Sequence, residues 1–291
     1  MRTMSYVVLA VALLAGRGVV AAQTIDAGRG EIPVTVPSSY SPDAPAPLIV
    51  LLHGYSFTGA RQDEYLKISP LADDYGFIFV APDGTPSSGE GNPQFWNASS
   101  ACCDFEGTEV DDSAYIAGLI EKVKSRYHID ERRVYLIGHS NGGFMSFRMA
   151  HDHSETIAAI ASLAGADQTG MRSAPPHPVH VLQLHGTADA VIRYGGGVTN
   201  VPQGGPYPGA KKSVENWATH NGCVGDGSVT GALDLEGTLV GLESTVTRHT
   251  NGCNAGGSAE LWTIANGSHV PEISEHFGKF VVEWLLAHPK P

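Results

Sequence analysis

Positive charge and aromatic residues are scarce in this sequence. Its 291 residues include 18 Lys and Arg against 30 Asp and Glu, a formal net charge of −12, and aromatic residues make up 8%. An acidic chain without basic runs repels phosphate polymers, so we do not expect nucleic acid as a partner. Charged residues amount to 16% and hydrophobic residues to 42%, which is typical of a folded globular protein.

Long hydrophobic runs are absent as well, and the apolar run at residues 7–15 is too short to span a bilayer. Arg2 precedes this run and small residues at 20–22 follow it, a pattern typical of an export signal. We therefore predict a signal peptide at residues 1–22, with a buried N-terminal strand or helix as the alternative. The expected protein is secreted, extracellular or periplasmic, with no membrane span. Loss of Arg2 and Arg17 would change its formal charge from −12 to −14.

Cysteine is rare, and its four positions are Cys102, Cys103, Cys223 and Cys253. An even count in an exported chain favours disulfides over free thiols. Three pairings are possible, of which we prefer Cys223 with Cys253 and Cys102 with Cys103. A zinc site is the rival interpretation, but adjacent cysteines lack ligand spacing and no histidine pair stands at a regular offset. We therefore predict no metal.

Apolar runs of strand length alternate with helical patterns along the chain. This alternation predicts an α/β fold, in which a mostly parallel central sheet is covered by helices on both faces. The predicted buried strands lie at residues 47–52, 77–81, 134–138, 158–163 and 179–184. An antiparallel edge strand is predicted at 32–36 and a late strand at 260–265.

Helical patterns of apolar residues occur at 111–127, 141–151 and 273–287. Two stretches are predicted to be irregular: 195–209, which is full of Gly and Pro, and 223–253, which is rich in Gly. Loops of this kind often shape substrate binding.

The strongest motif is the segment from Gly138 to Gly142, Gly-His-Ser-Asn-Gly, which fits G-x-S-x-G between a predicted strand and a predicted helix. A nucleophile on such a tight turn needs glycine two residues to either side, because a Cβ there would collide with backbone. The motif predicts Ser140 as a nucleophile, and a chance match in a Gly-rich chain is the alternative.

A serine hydroxyl needs a base and an acid that orients the base, in the chain order Ser, Asp or Glu, then His. Asp189 follows a predicted buried strand and is the candidate acid. The alternative is that Asp189 is a loop residue that stabilises a turn. Glu215 and Asp226 also lie after Ser140, but neither follows a strand.

His269, between the last predicted strand and the last predicted helix, is the candidate base. His220, His249 and His276 have poorer positions, because two flank an irregular stretch and one lies in a predicted helix. His185 precedes the acid and is expected to be structural.

An oxyanion hole needs two backbone N–H groups, one directly after the nucleophile and one after an early strand. Asn141 supplies the first in this sequence, and Tyr55 is the candidate for the second. His53 lies beside Tyr55, and we expect it to have a structural or pocket role.

Further motifs extend the pattern: LLHG at 51–54, FWN at 95–97, ACC at 101–103, VDD at 110–112, GHSNGG at 138–143, HGTAD at 185–189 and GSHVP at 267–271. With these motifs the chain resembles the secreted polyhydroxybutyrate depolymerase and feruloyl esterase family of α/β-hydrolases. The resemblance implies that residues 23–291 form a single α/β-hydrolase catalytic domain. It also implies that Ser140, Asp189 and His269 are the nucleophile, acid and base.

The resemblance implies a serine esterase that hydrolyses carboxylic esters through an acyl-enzyme and needs no cofactor. Polyesters or hydroxyacid oligomers, which include polymeric substrates, are the first expectation. Feruloyl or acetyl esters of plant polysaccharide are the alternative. Trp96, Tyr194 and Tyr207 are candidate substrate contacts, with buried packing as the other interpretation. A secreted peptidase or a noncatalytic binding protein on the same scaffold remain open.

Overall fold

The computed structural model describes residues 23–169, 174–199 and 204–291. The predicted signal peptide, residues 1–22, lies outside the described residues. Across the described ranges, no helix combines the length and the apolar character needed to cross a membrane.

A ten-stranded sheet, in the order β1-β2-β4-β3-β7-β8-β9-β14-β13-β12, forms the centre of the described part of the chain. The strands are β1 Thr24–Asp26, β2 Glu31–Thr35, β3 Ala46–Leu52, β4 Ile78–Val80, β5 Thr85–Pro86, β6 Gln94–Phe95, β7 Ile129–His139, β8 Ala159–Leu163, β9 His180–Gly186, β10 Gly196–Val198, β11 Pro206–Pro208, β12 Ser228–Leu233, β13 Ser244–His249 and β14 Ser258–Ile264. Neighbours from β4 to β14 pair in parallel, and antiparallel strands flank them at both edges. The predicted mostly parallel sheet is confirmed.

Helices cover both faces of this sheet, as predicted. They are α1 Gly59–Leu66, α2 Ala72–Tyr75, α3 Asp112–Arg126, α4 Asn141–Asp152, α5 Ala210–His220 and α6 Phe277–Leu286. Side chains along β3 alternate between the two faces of the sheet, so this strand contributes residues to two hydrophobic cores. Leu48, Val50 and Leu52 pack on the side of α3, α4 and α5, whereas Ile49 and Leu51 pack on the side of α1 and α6.

The connections between β3, β4 and β7 reverse the order of the strands near the middle of the sheet. The chain passes from β3 to β4 on one side and then to β7 on the other side of β3. In open α/β sheets, ligands bind at the carboxyl ends of the strands where the order reverses. Residues after Leu52 of β3 and after His139 of β7 therefore lie where a site is expected.

Three predicted segments differ from the observed structure. Both stretches predicted to be irregular contain strands: 195–209 holds the antiparallel pair β10 and β11, and 223–253 holds β12 and β13. Nearly all of β12 is exposed, so it lacks the apolar alternation from which a strand is recognised. The last helix begins at Phe277 and not at 273, because Ile273 forms a β-bridge with Glu236.

The edge of the sheet formed by β12 is not regular. Its antiparallel pairing with β13 shifts register between Val229 and Gly231, which is the pattern of a β-bulge.

Both predicted disulfides, Cys102–Cys103 and Cys223–Cys253, are present, and no cysteine in the described residues is free. The second bond joins the segment after α5 to the turn before β14. It closes a loop that contains the β12–β13 hairpin, with a sequence separation of 30.

Loss of the Cys223–Cys253 bond is expected to lower stability without lowering turnover per folded molecule. On the loop-entropy estimate, closing this loop contributes about 3 to 4 kcal/mol, so the Cys223→Ser/Cys253→Ser protein should melt on the order of 10 °C lower. Calorimetry checks the melting temperature, and ester turnover at a temperature where both proteins are folded checks the activity. An unchanged melting temperature would contradict the prediction.

Candidate active site

Ser140 occupies a strained turn between β7 and α4, with φ 53° and ψ −116°. The turn is possible because its neighbours lack side chains. A Cβ at Gly138 would lie 2.1 Å from the carbonyl oxygen of Gly142, and one at Gly142 would lie 2.0 Å from that of Leu52. The sharp turn presents the Ser140 hydroxyl at the carboxyl end of the sheet.

The three side chains predicted from sequence form one hydrogen-bonded chain. His269 Nε2 lies 2.9 Å from Ser140 Oγ, and His269 Nδ1 lies 2.8 Å from Asp189 Oδ2. Because a carboxylate can only accept, Nδ1 carries the proton and Nε2 is free to accept the serine hydroxyl. Other candidates for the acid and the base were weighed in the sequence. Among the described residues, none of them hydrogen-bonds to these three side chains: Glu215, Asp226, His220, His249 and His276.

The carboxylate of Asp189 is fully buried and accepts four hydrogen bonds. Oδ1 accepts the N–H groups of Val191 and Ile192 at 2.8 and 2.9 Å, and Oδ2 accepts His185 Nε2 at 3.2 Å as well as His269. Burial raises the pKa of this carboxyl, but the hydrogen bonds from His185 and His269 outweigh it and hold the pKa well below its usual range. Asp189 is thus an anion that faces His269.

His185 is therefore closer to the chemistry than sequence reasoning predicted. Gln183 Nε2 lies 2.9 Å from His185 Nδ1 and also donates to the Gly165 carbonyl. An amide N–H toward Nδ1 leaves the His185 proton on Nε2, where Ile192 O at 2.7 Å and Asp189 share it. The spacing of His185 and Asp189 in HGTAD could have suggested this contact.

His139 holds the loop that carries the proposed base. Its Nε2 donates to the backbone carbonyl of His269 at 3.0 Å, while its buried Nδ1 has no partner among the described residues. Burial, followed by the neighbouring His269, lowers the pKa of His139 to about 4. His139 is therefore neutral at physiological pH.

The shifted pKa of His139 predicts a loss of stability in acid. Its unfolded-state pKa is near 6.5, so between pH 6.5 and about 4 only the unfolded chain binds the proton, and stability falls as pH falls through that range. The loss from this group is about 3 kcal/mol when complete, and none is expected above pH 6.5. Urea unfolding at pH 7 and pH 4.5 measures the change. His139→Gln keeps an N–H donor but cannot titrate, so its free energy of unfolding should fall less between pH 7 and pH 4.5 than that of the wild type. An equal fall in the two proteins would contradict the prediction.

Two backbone amides face the same end of the sheet. Neither Tyr55 N–H nor Asn141 N–H donates to another group in the described residues. Tyr55 follows β3 and Asn141 begins α4. A Cβ at Gly54 would lie 3.5 Å from Ser140 Cβ, which shows how closely this loop approaches the serine. The arrangement suits stabilisation of a negatively charged oxygen.

The aromatic residues predicted to contact substrate are mostly packed inside. Trp96 is 0% exposed and Tyr207 is 4% exposed, so neither ring offers a face to substrate, and these two predictions are wrong. Trp96 Nε1 donates to the His53 carbonyl, and the Tyr207 hydroxyl accepts from Arg193 N–H. Tyr194 is half-buried and its hydroxyl bonds to the hydroxyl of Thr263.

Other apolar side chains, near the site residues in the chain, are exposed or half-buried instead. Tyr55, 38% exposed, lies 5.5 Å from the Phe105 ring, and Val270 directly follows His269 and is half exposed. Val191, close to Asp189 in the chain, is also exposed. In the described ranges, no group of three or more His, Cys, Asp or Glu is arranged to hold a metal ion.

The sequence of this chain is similar to that of known proteins. A family model described as alpha/beta hydrolase fold matches residues 47–188. Feruloyl esterase B of Piromyces equi is 31% identical over 66% of this chain and 36% of its own length. A bifunctional acetylxylan esterase/xylanase of Neocallimastix patriciarum is 33% identical over 58% of this chain and 22% of its own length. The chain thus spans well under half of either relative.

The structure of an acetyl xylan esterase from Aspergillus awamori superposes with a TM-score of 0.64. The match covers 90% of this chain and 98% of that structure, at 17% identity. At this identity the match shows a shared fold. The chain has the α/β-hydrolase fold, and the two relatives named above are esterases.

Proposed function

We propose that the protein is a serine carboxylic ester hydrolase, with Ser140 as nucleophile, His269 as base and Asp189 as the acid that orients the base. The observation that carries the proposal is the hydrogen-bonded chain from Ser140 through His269 to the buried carboxylate of Asp189.

In the acylation step, Ser140 Oγ attacks the ester carbonyl carbon while His269 Nε2 takes the hydroxyl proton. The carbonyl oxygen becomes negatively charged and accepts hydrogen bonds from Tyr55 N–H and Asn141 N–H. The N-terminus of α4 adds a favourable dipole at the same place. The tetrahedral intermediate collapses as His269 gives its proton to the departing alcohol oxygen.

In the deacylation step, His269 Nε2 takes a proton from water, whose oxygen attacks the acyl carbon bound to Ser140. Collapse returns the proton from His269 to Ser140 Oγ and releases the acid. Throughout the cycle Asp189 remains an anion and stabilises the charged imidazole, which its low pKa permits.

For the substrate, we propose feruloyl or acetyl esters of plant polysaccharide. They replace the polyesters and hydroxyacid oligomers that were the first expectation from the sequence. The support comes from the names of the two relatives, a feruloyl esterase and an acetylxylan esterase. The exposed or half-buried apolar side chains of Tyr55, Phe105 and Val270 suit an uncharged ester better than an anionic one.

Polyester cleavage remains the second candidate because of one surface feature. The loop between β12 and β13 exposes Val240 at 98% and Leu242 at 67%. The base of this loop is joined to the segment after His269, since Glu272 N–H donates to Glu236 Oε1 at 3.1 Å. Exposed apolar side chains near a site are expected on a protein that acts at an apolar surface.

Labelling and a substrate panel test the proposal. A fluorophosphonate should label the wild-type protein at Ser140 and should not label Ser140→Ala. Turnover of methyl ferulate, acetylated xylan, polyhydroxybutyrate and a peptide anilide then ranks the substrates, with the two plant esters expected to lead. Absence of labelling and of all turnover would favour a noncatalytic binding protein, and preference for the anilide would favour a peptidase.

Export is the remaining part of the proposal. Two disulfides in the described residues suit an oxidising compartment, which supports secretion. N-terminal sequencing of protein from the culture medium or periplasm should give Gln23 as the first residue. A mature protein that keeps residues 1–22 would contradict the signal peptide.

A further inference from the structure

Trp96 contacts both chain segments that carry the proposed oxyanion donors. Its backbone N–H donates to Asn141 Oδ1 at 2.7 Å, and its backbone carbonyl accepts Asn141 Nδ2 at 2.8 Å. Its indole Nε1 donates to the backbone carbonyl of His53 at 3.0 Å. Trp96, Asn141 and His53 are each 0% exposed, so water cannot replace these bonds. One residue thus links the start of α4 to the loop after β3.

The bond from Trp96 fixes the first of two successive peptide groups in the β3–α1 loop. The His53–Gly54 peptide is held at both ends, because its carbonyl accepts Trp96 Nε1 and its N–H donates to Gln62 Oε1 at 2.9 Å. Gln62 is itself fully buried in α1. This peptide group is therefore unable to rotate without breaking a buried hydrogen bond.

The second peptide group, Gly54–Tyr55, contains the proposed donor. Its carbonyl oxygen accepts His53 Nδ1 at 2.8 Å and Phe57 N–H at 3.0 Å. In a planar trans peptide the N–H points opposite to the C=O, so these two bonds set the direction of Tyr55 N–H. That direction depends in turn on where the His53 ring lies.

The His53 ring is fixed as well. Gly84 N–H donates to its Nε2 at 2.8 Å, which leaves the proton on Nδ1 for the Gly54 carbonyl. Burial lowers the pKa of His53 and keeps this ring neutral. The Trp96 ring also packs on it, with centroids 4.9 Å apart.

Trp96 is anchored to the core through the next residue. Asn97 N–H donates to Asp112 Oδ2 at 2.6 Å, and Asp112 also accepts Thr85 Oγ1 and pairs with Arg29. Asp112 is fully buried in the first turn of α3. The link between the two donor segments is therefore attached to a rigid support.

We propose that Trp96 is a positioning residue that fixes the two oxyanion donors, Tyr55 N–H and Asn141 N–H, relative to each other. The inference rests on the proposed ester hydrolysis. Because the charged oxygen exists only in the transition state, misplaced donors should lower kcat and leave KM nearly unchanged. Trp96 touches no substrate, since its ring is completely buried.

Trp96→Phe, compared with Trp217→Phe, tests this role. Both tryptophans are 0% exposed, and the indole N–H of Trp217 has no hydrogen-bond partner in the described part of the chain. Both substitutions remove the same atoms, but only Trp96→Phe breaks a hydrogen bond. We expect kcat to fall about 10- to 100-fold for Trp96→Phe with KM within about twofold, and kcat of Trp217→Phe to stay within about twofold of wild type.

Amide hydrogen exchange gives a second readout that does not depend on activity. In Trp96→Phe, peptides covering residues 53–57 should exchange at least about tenfold faster than in wild type or in Trp217→Phe. Equal kcat in the two variants, or unchanged exchange at 53–57, would overturn the proposal. If wild type hydrolyses no ester, the proposed function fails, and the exchange result alone decides whether Trp96 holds the loop.

An isostere covers the case in which Trp96→Phe does not fold. Replacing Trp96 by 3-benzothienylalanine substitutes sulfur for the indole N–H and leaves no cavity. The same faster exchange at residues 53–57 and a kcat loss of at least about fivefold are expected, because one buried hydrogen bond is lost. Wild-type exchange and kcat in the isostere would overturn the role of the indole N–H.

Discussion

Replacing Ser140 with alanine is expected to lower kcat for a p-nitrophenyl ester by about a million-fold, with the fold intact. The hydroxyl is the atom that bonds to the acyl group, and the remaining groups cannot replace it. Little stability should be lost, because Ser140 lies at the surface end of the turn and its hydroxyl bonds only to His269 among the described residues. Initial rates and a circular dichroism melt measure the two effects.

Ser268→Ala is the matched control for that experiment. Ser268 is exposed, precedes His269 and makes no side-chain hydrogen bond in the described ranges. Its loss should change kcat by less than about threefold, as expected for a surface substitution. If Ser140→Ala kept more than about one hundredth of wild-type turnover, another nucleophile would have to be sought.

Replacing Asp189 with asparagine is expected to lower kcat by about ten-thousandfold, the effect that this change has on a triad acid. The structure supplies a reason. An asparagine that keeps its oxygen on the N–H groups of Val191 and Ile192 must turn its NH₂ toward His185 and His269. Both histidines donate at this point, so His269 would have to move its proton to Nε2. It could then no longer accept the proton of Ser140.

Asp189→Asn also predicts which measurements should not change. Neither substrate binding nor folding depends on the His269 tautomer. KM should therefore stay within about threefold of the wild-type value. Asp226→Asn, at an exposed loop position, serves as the control. A loss of kcat below about threefold for Asp189→Asn would place the acid elsewhere.

The inner strands and the serine turn were predictable because their patterns are local. Residues of β3 are buried on both faces, so an unbroken apolar run marks the strand. Ser140 lies in a short motif whose glycines are required locally, because a Cβ at either position would collide with nearby backbone. Asp189 and His269 could be chosen because chain order and the ends of predicted strands limit the candidates.

Other features depend on contacts between distant parts of the chain. Trp96 looked like a candidate substrate ring, and its links to His53 and Asn141 span 43 and 45 residues. Strand β12 has two larger apolar residues, Val229 and Leu233, which do not alternate with polar ones, and the strand is almost entirely exposed, so no period marks it. The exact start of α6 was missed because the bridge from Ile273 to Glu236 competes with the helix.

The bulge between Val229 and Gly231 has a consequence for solubility. In the described part of the chain, strand β12 ends the main sheet with an unpaired row of backbone groups, and its six residues carry no charge. Such an edge invites pairing with the edge of another molecule and, at high concentration, aggregation. The bulge bends the strand and increases its twist, so a second edge cannot match it over its length. At this edge the shape of the strand therefore disfavours pairing between molecules, a purpose for which other proteins use lysine.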